Sequence, residues 1–171
     1  MGWISVYAII EKYPKMKADM VYSLAESRLR MFSDEFEVPE YEAPCECYWL
    51  SPNKKEYQKD CEYCLGKGIR KTNVNPLSRY SFYELGDDAL YMDMEESMQD
   101  FRTLMSNGKP TDILTTGQLL SLRTVPNGII TPEKHYFDCD IYRDSEDWTK
   151  QFRELCKKYS NHYVVPASCH C

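Results

Sequence analysis

Four cysteines in the first half of the chain constrain its fold more than any other feature. They form two close pairs, Cys45-x-Cys47 and Cys61-x-x-Cys64, with thirteen residues between the pairs. Thiolate sulfur is a strong zinc ligand, and two cysteine pairs on short turns are typical of a tetrahedral site. The sequence therefore predicts a closed structural Zn²⁺ site with these four cysteines as its ligands, and its binding free energy would contribute to folding.

The second pair also has the spacing of a redox-active dithiol. Such a pair usually lies at a helix N-terminus after a strand, where the helix dipole lowers a thiol pKa. Here Cys45 and Cys47 lie nearby in sequence, and Gly66 and Gly68 follow, which favours a tight turn around a metal. The chain has eight cysteines and no recognisable signal peptide, so we expect a reducing compartment, in which paired cysteines are more often ligands than disulfides.

The C-terminal segment Cys169-His170-Cys171 offers further ligand types. A second metal site would need these residues to meet Cys139, His135 or His162. The same tail could instead supply a Cys–His nucleophile pair, or it could be a frayed end with no special chemistry. The sequence leaves these alternatives open.

Hydrophobic periodicity gives a coarse order of elements along the chain. The predicted strands are 3–10, 80–85, 119–125, 129–137 and 162–167, and the predicted helices are 17–32, 87–107 and 144–159. Without the cysteine segment and the helix at 87–107, the order is β-α-β-β-β-α-β, which contains the order β-α-β-β-α-β with one additional strand. It predicts a ferredoxin-like α+β sandwich. We expect one domain over 1–171, with a zinc-stapled insertion at 43–74.

The predicted helix at 87–107 is acidic, and no Lys or Arg occurs from residue 80 to residue 101. Such a run is most often a solvated face, but it could also dock on a basic partner. The candidate partner-binding residues are Asp87, Asp88, Asp93, Glu95, Glu96 and Asp100. The net charge of −6 disfavours non-specific nucleic-acid binding by the whole surface. Residues 52–80 carry seven basic against three acidic residues, so a weak nucleic-acid contact through the insertion is an alternative.

No hydrolase, nucleotide-binding or zinc-deaminase signature occurs in the chain. No run approaches eighteen apolar residues, so no membrane span is expected. The sequence thus predicts a non-enzymatic protein that does not engage membranes.

Two resemblances extend this interpretation. Cys61-x-x-Cys64-x-Gly66-x-Gly68 resembles one repeat of the zinc-binding module of DnaJ-type co-chaperones, but the J-domain motif His-Pro-Asp is absent, so no co-chaperone function is implied. Most of the chain resembles small tailed-phage proteins of uncharacterised function, which share the same order of motifs. Here those motifs are Pro44-Cys45-x-Cys47, 61–68, Asn75-Pro76-x-Ser78-Arg79-Tyr80, Tyr83-x-Leu85-Gly86, Trp148 and Cys169-His170.

The phage resemblance implies no known activity, but together with the small acidic domain and the lack of a catalytic motif it leads to a hypothesis: an accessory protein that acts in the host cytoplasm on a host protein or nucleoprotein complex. More concretely, we expect the protein to inhibit a host defence complex, as anti-CRISPR-type proteins do. The alternative is that it is a zinc-containing nucleic-acid-binding module. One departure stands out, since such proteins typically continue Gly-Gly-Arg-Trp where this chain has Gly86-Asp87-Asp88-Ala89.

Overall fold

The computed structural model describes residues 2–47, 58–86, 88–89, 96–106, 113–142 and 144–171. These residues fall into two compact units. Phe36–Pro76 forms the cysteine unit, and Met1–Glu35 together with Leu77–Cys171 forms the sheet unit. The protein is a mixed α+β structure, as the sequence predicts at that level.

Strands and helices alternate irregularly along the described residues. The strands are β1 (Trp3–Ile10), β2 (Tyr41–Pro44), β3 (Ile69–Thr72), β4 (Phe82–Leu85), β5 (Leu114–Thr115), β6 (Gly128–Ile130), β7 (Tyr136–Asp138) and β8 (Tyr163–His170). The helices are α1 (Ala18–Arg30), α2 (Glu96–Ser106), α3 (Thr116–Leu119) and α4 (Ser145–Lys158), with a 3₁₀ turn at Cys139–Ile141. None of these helices combines the length and apolar composition that a bilayer crossing requires.

The sheet unit is built on a sheet with strand order β4-β8-β1-β6-β7, and β5 pairs with β8 beside β4. Strand β1 pairs antiparallel with β8 over its whole length and parallel with β6. A ferredoxin-like sheet is a split βαβ, in which a third strand separates the two strands that the first helix joins. Here β8 separates β1 from β4, but β1 and β6 are direct parallel neighbours, whereas all neighbouring strands of a ferredoxin-like sheet are antiparallel, so that specific fold is not confirmed.

Helices cover both faces of this sheet. On one face, Ala8 and Ile10 of β1 pack against Val21 and Ala25 of α1. On the other face, the Tyr7 ring lies 5.2 Å from that of Phe101 in α2 and 6.4 Å from that of Phe152 in α4. The continuous apolar run of β1 predicts a strand buried on both faces, and the structure confirms it, since Val6–Ile10 are fully buried.

Two predicted strands are wrong in detail. The predicted strand at 119–125 is absent. A capping box of Thr115 and Gln118 starts the short helix α3, and after it the Ser121 and Leu122 N–H groups donate back to the Gln118 and Leu119 carbonyls, so the chain turns. The predicted strand at 129–137 is instead the hairpin of β6 and β7, whose turn contains Pro132 and Lys134, the latter at φ +66°. Proline lacks the N–H that a ladder needs, which favours a turn at this position.

The hairpin of β6 and β7 depends on glycine at position 128. A Cβ atom there would lie 2.6 Å from the Tyr136 hydroxyl oxygen and 3.0 Å from its ring. Tyr136 has little room to move, because its ring packs 5.3 Å from Phe32 and 6.4 Å from Tyr80. We therefore expect Gly128→Ala to lower the free energy of unfolding by about 2 kcal/mol, measured by chemical denaturation.

Gly117→Ala is the matched control for that substitution. A Cβ atom at Gly117 in α3 would meet its nearest neighbour at 3.9 Å, an ordinary contact. Alanine also loses less backbone entropy than glycine on folding, so stability should stay level or rise by up to about 1 kcal/mol. Equal losses in the two variants would contradict the packing argument.

Candidate metal centre

The cysteine unit places its four cysteines around one short hairpin. Strands β2 and β3 pair antiparallel, with Tyr41 opposite Thr72 and Pro44 opposite Ile69. Cys45 directly follows β2 and donates its backbone N–H to the carbonyl of Gly68, at 2.9 Å, which extends the ladder by one pair. The second cysteine pair lies on the turn that leads into β3.

That turn is held by backbone hydrogen bonds and contains three residues with positive φ. The Leu65 N–H donates to the Cys61 carbonyl at 2.8 Å, and the Lys67 N–H donates to the Cys64 carbonyl at 2.9 Å. Leu65, Gly66 and Gly68 all have positive φ, at 51°, 74° and 74°. A Cβ atom at Gly66 would also lie 2.9 Å from the Lys59 carbonyl oxygen. The tight turn that the glycines predict is present, and it leads into a strand rather than the helix expected of a redox pair.

The four sulfur atoms converge on one point. Their Sγ atoms all lie within 4.8 Å of one another, with 3.7 Å between Cys45 and Cys61 and 3.6 Å between Cys47 and Cys64. All four residues are buried or nearly so. Metal–sulfur bonds of about 2.3 Å in a regular tetrahedron give sulfur–sulfur edges of about 3.8 Å. The predicted ligands are therefore assembled, and they are positioned to hold a single metal ion.

Burial and mutual contact set the thiol pKa values in this cluster. Burial raises the pKa of Cys47 to about 12. Burial also acts against ionisation of Cys64, but its hydrogen bonds with the Gly68 backbone and the other three thiols lower its pKa to about 7. The pKa of Cys45 is raised, although its hydrogen bond with the Cys47 backbone acts in the opposite direction and burial is the main cause of the rise. Cys64 therefore ionises before Cys45 and Cys47.

These pKa values make metal binding pH-dependent, because a metal takes thiolates and displaces their protons. At pH 8 we expect release of at least about two protons, from Cys45 and Cys47, on binding. As the pH falls through 7, Cys64 also becomes protonated and adds one more proton to the release. Affinity should thus rise with pH and fall more steeply below pH 7. Titration calorimetry in two buffers of different ionisation enthalpy measures the number of protons released. If the metal affinity did not change between pH 6 and pH 8, the expected pH dependence would be contradicted.

Charges near the cluster largely neutralise one another. Arg70 pairs with Glu46 at 2.5 Å, and Lys71 pairs with Glu40 at 3.5 Å. A cavity of about 470 Å³ borders the cysteines and is also lined by Asp60 and Glu62. Over residues 36–76 the sequence has seven acidic and six basic residues. This balance, together with thiolates around a divalent ion, makes the unit a poor match for a nucleic-acid backbone.

The structure describes three of the six predicted acidic partner-binding residues. Asp87, Asp93 and Glu95 lie outside the described residues. Asp88 and Glu96 are exposed to solvent. Asp100 is half-buried, and its carboxylate accepts hydrogen bonds from the Thr124 N–H at 3.1 Å and the Thr124 hydroxyl at 2.7 Å. Asp100 thus holds the chain after α3, a contact that the sequence pattern does not indicate.

The C-terminal cysteines and histidines do not form a second cluster. Among the described residues, the group at Cys45, Cys47, Cys61 and Cys64 is the one set of three or more potential ligands within metal-binding distance. Successive side chains of a strand point to opposite faces, so Cys169 and His170 diverge on β8. Cys169 is buried in the core beside α1, whereas the His170 ring stacks on Phe82 at 4.9 Å.

The remaining candidates of that second site are also dispersed. Cys171 is exposed and His135 is exposed, whereas His162 packs its ring 5.6 Å from that of Tyr159. Cys139 lies at the start of the 3₁₀ turn, and Cys139 and Cys171 line one cavity of about 520 Å³. Asp138 and Asp140 line the same cavity, but no three of these groups lie within metal-binding distance of one another.

No family model, no curated protein and no solved structure matches the chain.

Proposed function

We propose that this protein is a non-catalytic binding protein, that the ion held by its four cysteines is Zn²⁺, and that the cysteine unit contacts a partner protein. The zinc assignment is supported by four sulfur ligands at tetrahedral spacing, a combination that zinc commonly takes in structural sites. Four thiolates close the tetrahedron, so the ion stabilises the unit and has no open position for a substrate.

The observation that carries the binding function is the exposed apolar surface of the cysteine unit. Tyr63 is 69% exposed and Leu65 is 74% exposed, and we name these two residues the apolar tip. Ile69 and Val74 in the same small unit are also about half exposed. Large apolar side chains grouped on one small unit are typical of contact surfaces.

Leu65 adds a second argument, because its conformation costs stability. A non-glycine residue in the left-handed region is less stable than glycine by about 1 kcal/mol. Leu65 has φ 51°, and its side chain is mostly exposed, so little burial within the unit offsets that cost. A strained and exposed leucine is explained if a partner covers it.

Leu65→Gly separates binding from stability. Glycine relieves the strain at this position, so zinc affinity should stay level or rise, whereas the apolar contact is removed. The measurement is a pull-down from bacterial lysate with and without nuclease, read by mass spectrometry. We expect a nuclease-resistant partner that wild type captures and Leu65→Gly loses. Met20→Ser is the control, because Met20 on α1 is 56% exposed but lies outside the cysteine unit.

Other outcomes of that experiment would reject the proposal. Nuclease-sensitive recovery of many proteins would favour the nucleic-acid-binding module instead. A partner retained equally by Leu65→Gly and Met20→Ser would mean that the apolar tip does not bind it.

The narrower form of the proposal is inhibition of a host defence complex by a phage protein. Its support is the resemblance in motif order, together with the exposed carboxylates of Asp88 and Glu96. If this acidic surface occupies a basic groove, Glu96→Lys should weaken partner capture and restore nucleic-acid binding by the captured complex. Unchanged capture by Glu96→Lys would reject this form and leave the binding function in place.

A further inference from the structure

The hairpin of the cysteine unit has two outer edges that differ chemically. In an antiparallel ladder, hydrogen-bonded and non-hydrogen-bonded pairs alternate. Cys45 donates to Gly68, so the ladder bonds continue at the pairs Ala43–Arg70 and Tyr41–Thr72. The residues between them direct their backbone groups outward, away from the partner strand.

On the β2 edge, the outward-facing positions are Glu42 and Pro44. Proline has no N–H, so this edge lacks a donor where a further strand would need one. On the β3 edge, the outward-facing positions are Ile69 and Lys71, and both retain an N–H and a carbonyl. No hydrogen bond to either backbone is found within the described part of the chain. The β3 edge is therefore the one that can accept another strand.

Side chains on this edge define what that strand must carry. Ile69 and Lys71 lie on the same strand face, and Ile69 is 52% exposed. The Lys71 side chain is 69% exposed, whereas Arg70 lies on the opposite strand face and is paired with Glu46. The ion pair of Lys71 with Glu40 joins two exposed groups and is weak. An incoming strand with an apolar residue opposite Ile69 and an acidic residue two positions away, opposite Lys71, would complement both side chains.

A second copy of this chain fits the edge poorly. The outward groups of two β3 strands can pair with Ile69 opposite Ile69, with Ile69 opposite Lys71, or with Lys71 opposite Lys71. The first register sets Lys67 opposite Lys71, the second sets Arg70 opposite Arg70, and the third sets Lys71 opposite Lys71. Like charges directly opposite each other destabilise a pair of strands, so all three registers are disfavoured.

We propose that the free edge of β3 binds an extended acidic segment of a partner protein, which adds a third strand to the hairpin of β2 and β3. This inference rests on the proposed binding function and names the chemistry of its partner. Backbone hydrogen bonds at Ile69 and Lys71 would supply affinity, and the side chains opposite these two residues would supply specificity.

The test uses the zinc-loaded full chain and two pools of nine-residue peptides. On one strand face the residues are apolar and charged in turn, with threonine at every position of the other face, and the charged residue is glutamate in one pool and lysine in the other. Binding is measured by fluorescence anisotropy. We expect the glutamate pool to bind at least about fivefold more tightly than the lysine pool, and Lys71→Glu to reverse the preference.

A matched pair of variants isolates the backbone contact. Lys71→Ala and Lys71→Pro both remove the charge, but only proline removes the outward N–H, and neither removes a ladder bond of Arg70 or Thr72. We expect Lys71→Pro to bind the glutamate pool about fivefold more weakly than Lys71→Ala. Zinc stoichiometry checks that both variants fold. If Lys71→Pro loses zinc, hydrogen exchange of the wild-type protein tests the backbone contact instead. The Ile69 and Lys71 amides should become protected from exchange when the glutamate pool is added.

Equal binding of the two pools, equal binding by the proline and alanine variants, or unprotected Ile69 and Lys71 amides would overturn the inference. Its failure differs from failure of the binding function. If the partner captured from lysate is lost by Leu65→Gly but kept by Lys71→Pro, the binding function stands and the edge inference falls. If wild type captures no partner while the peptide pools behave as expected, the binding function in that host falls and the edge inference stands.

Discussion

Replacing Cys64 with serine is expected to lower zinc affinity more than about a hundredfold. Structural Zn²⁺ sites bind with roughly 10–16 kcal/mol, so one of four thiolates contributes about 3 kcal/mol. Cys64 also ionises before Cys45 and Cys47, since its pKa is about 7 and theirs are raised, and it therefore supplies a thiolate to the metal before they do. Competition with a chromogenic chelator measures the affinity. Protease cleavage within 36–76 measures the folding of the unit.

Cys171→Ser is the control for that experiment. Cys171 is an exposed thiol outside the cluster, so its loss should leave both the affinity and the cleavage pattern unchanged. Equal affinities for Cys64→Ser and Cys171→Ser would show that the cluster does not hold the metal. Cleavage within 36–76 that does not depend on added zinc would show that the metal does not stabilise the unit.

The metal ligands could be predicted from sequence because their geometry is local. Cysteines two and three residues apart on tight turns can face one another in few ways, and Gly66 marks the turn through its positive φ. The helix α4 could likewise be predicted, since Asp144 caps it and Trp148, Phe152 and Leu155 repeat at helical spacing. In both cases the signal lies within a short stretch of chain.

The neighbours of each strand could not be predicted in the same way. Periodicity shows that β1 is buried on both faces, but the direct pairing of Val6 with Gly128 depends on residues more than a hundred positions apart. The role of Asp100 is similar. Its carboxylate looks like part of an acidic surface until Thr124 is placed beside it. Two local signals in the sequence argue against predicted strands: the capping box of Thr115 and Gln118 begins a helix before 119–125, and Pro132 favours a turn within 129–137.

Arg28→Met is expected to lower the free energy of unfolding by about 3 kcal/mol. Arg28 lies on α1, its side chain is 7% exposed, and its guanidinium donates to the Glu11 carboxylate at 2.6 Å. It also donates to the carbonyls of Thr131, at 3.0 Å, and Pro132, both in the turn between β6 and β7. Removing the guanidinium takes this donor from the Glu11 carboxylate and the Pro132 carbonyl, whereas the Thr131 carbonyl keeps the Lys134 N–H, at 2.9 Å. Because the Glu11 side chain is 29% exposed, water offsets part of the loss, and the expected value lies at the lower end for buried pairs.

Two further variants show which contact carries that effect. Arg30→Met is the matched control, because Arg30 ends the same helix but is exposed, and a change within about 0.5 kcal/mol is expected. Glu11→Gln keeps an acceptor for Arg28 and removes the charge, so a loss of about 1 kcal/mol would assign most of the stabilisation to the two carbonyls. If Arg28→Met costs no more than Arg30→Met in chemical denaturation, the guanidinium does not tie α1 to the turn between β6 and β7.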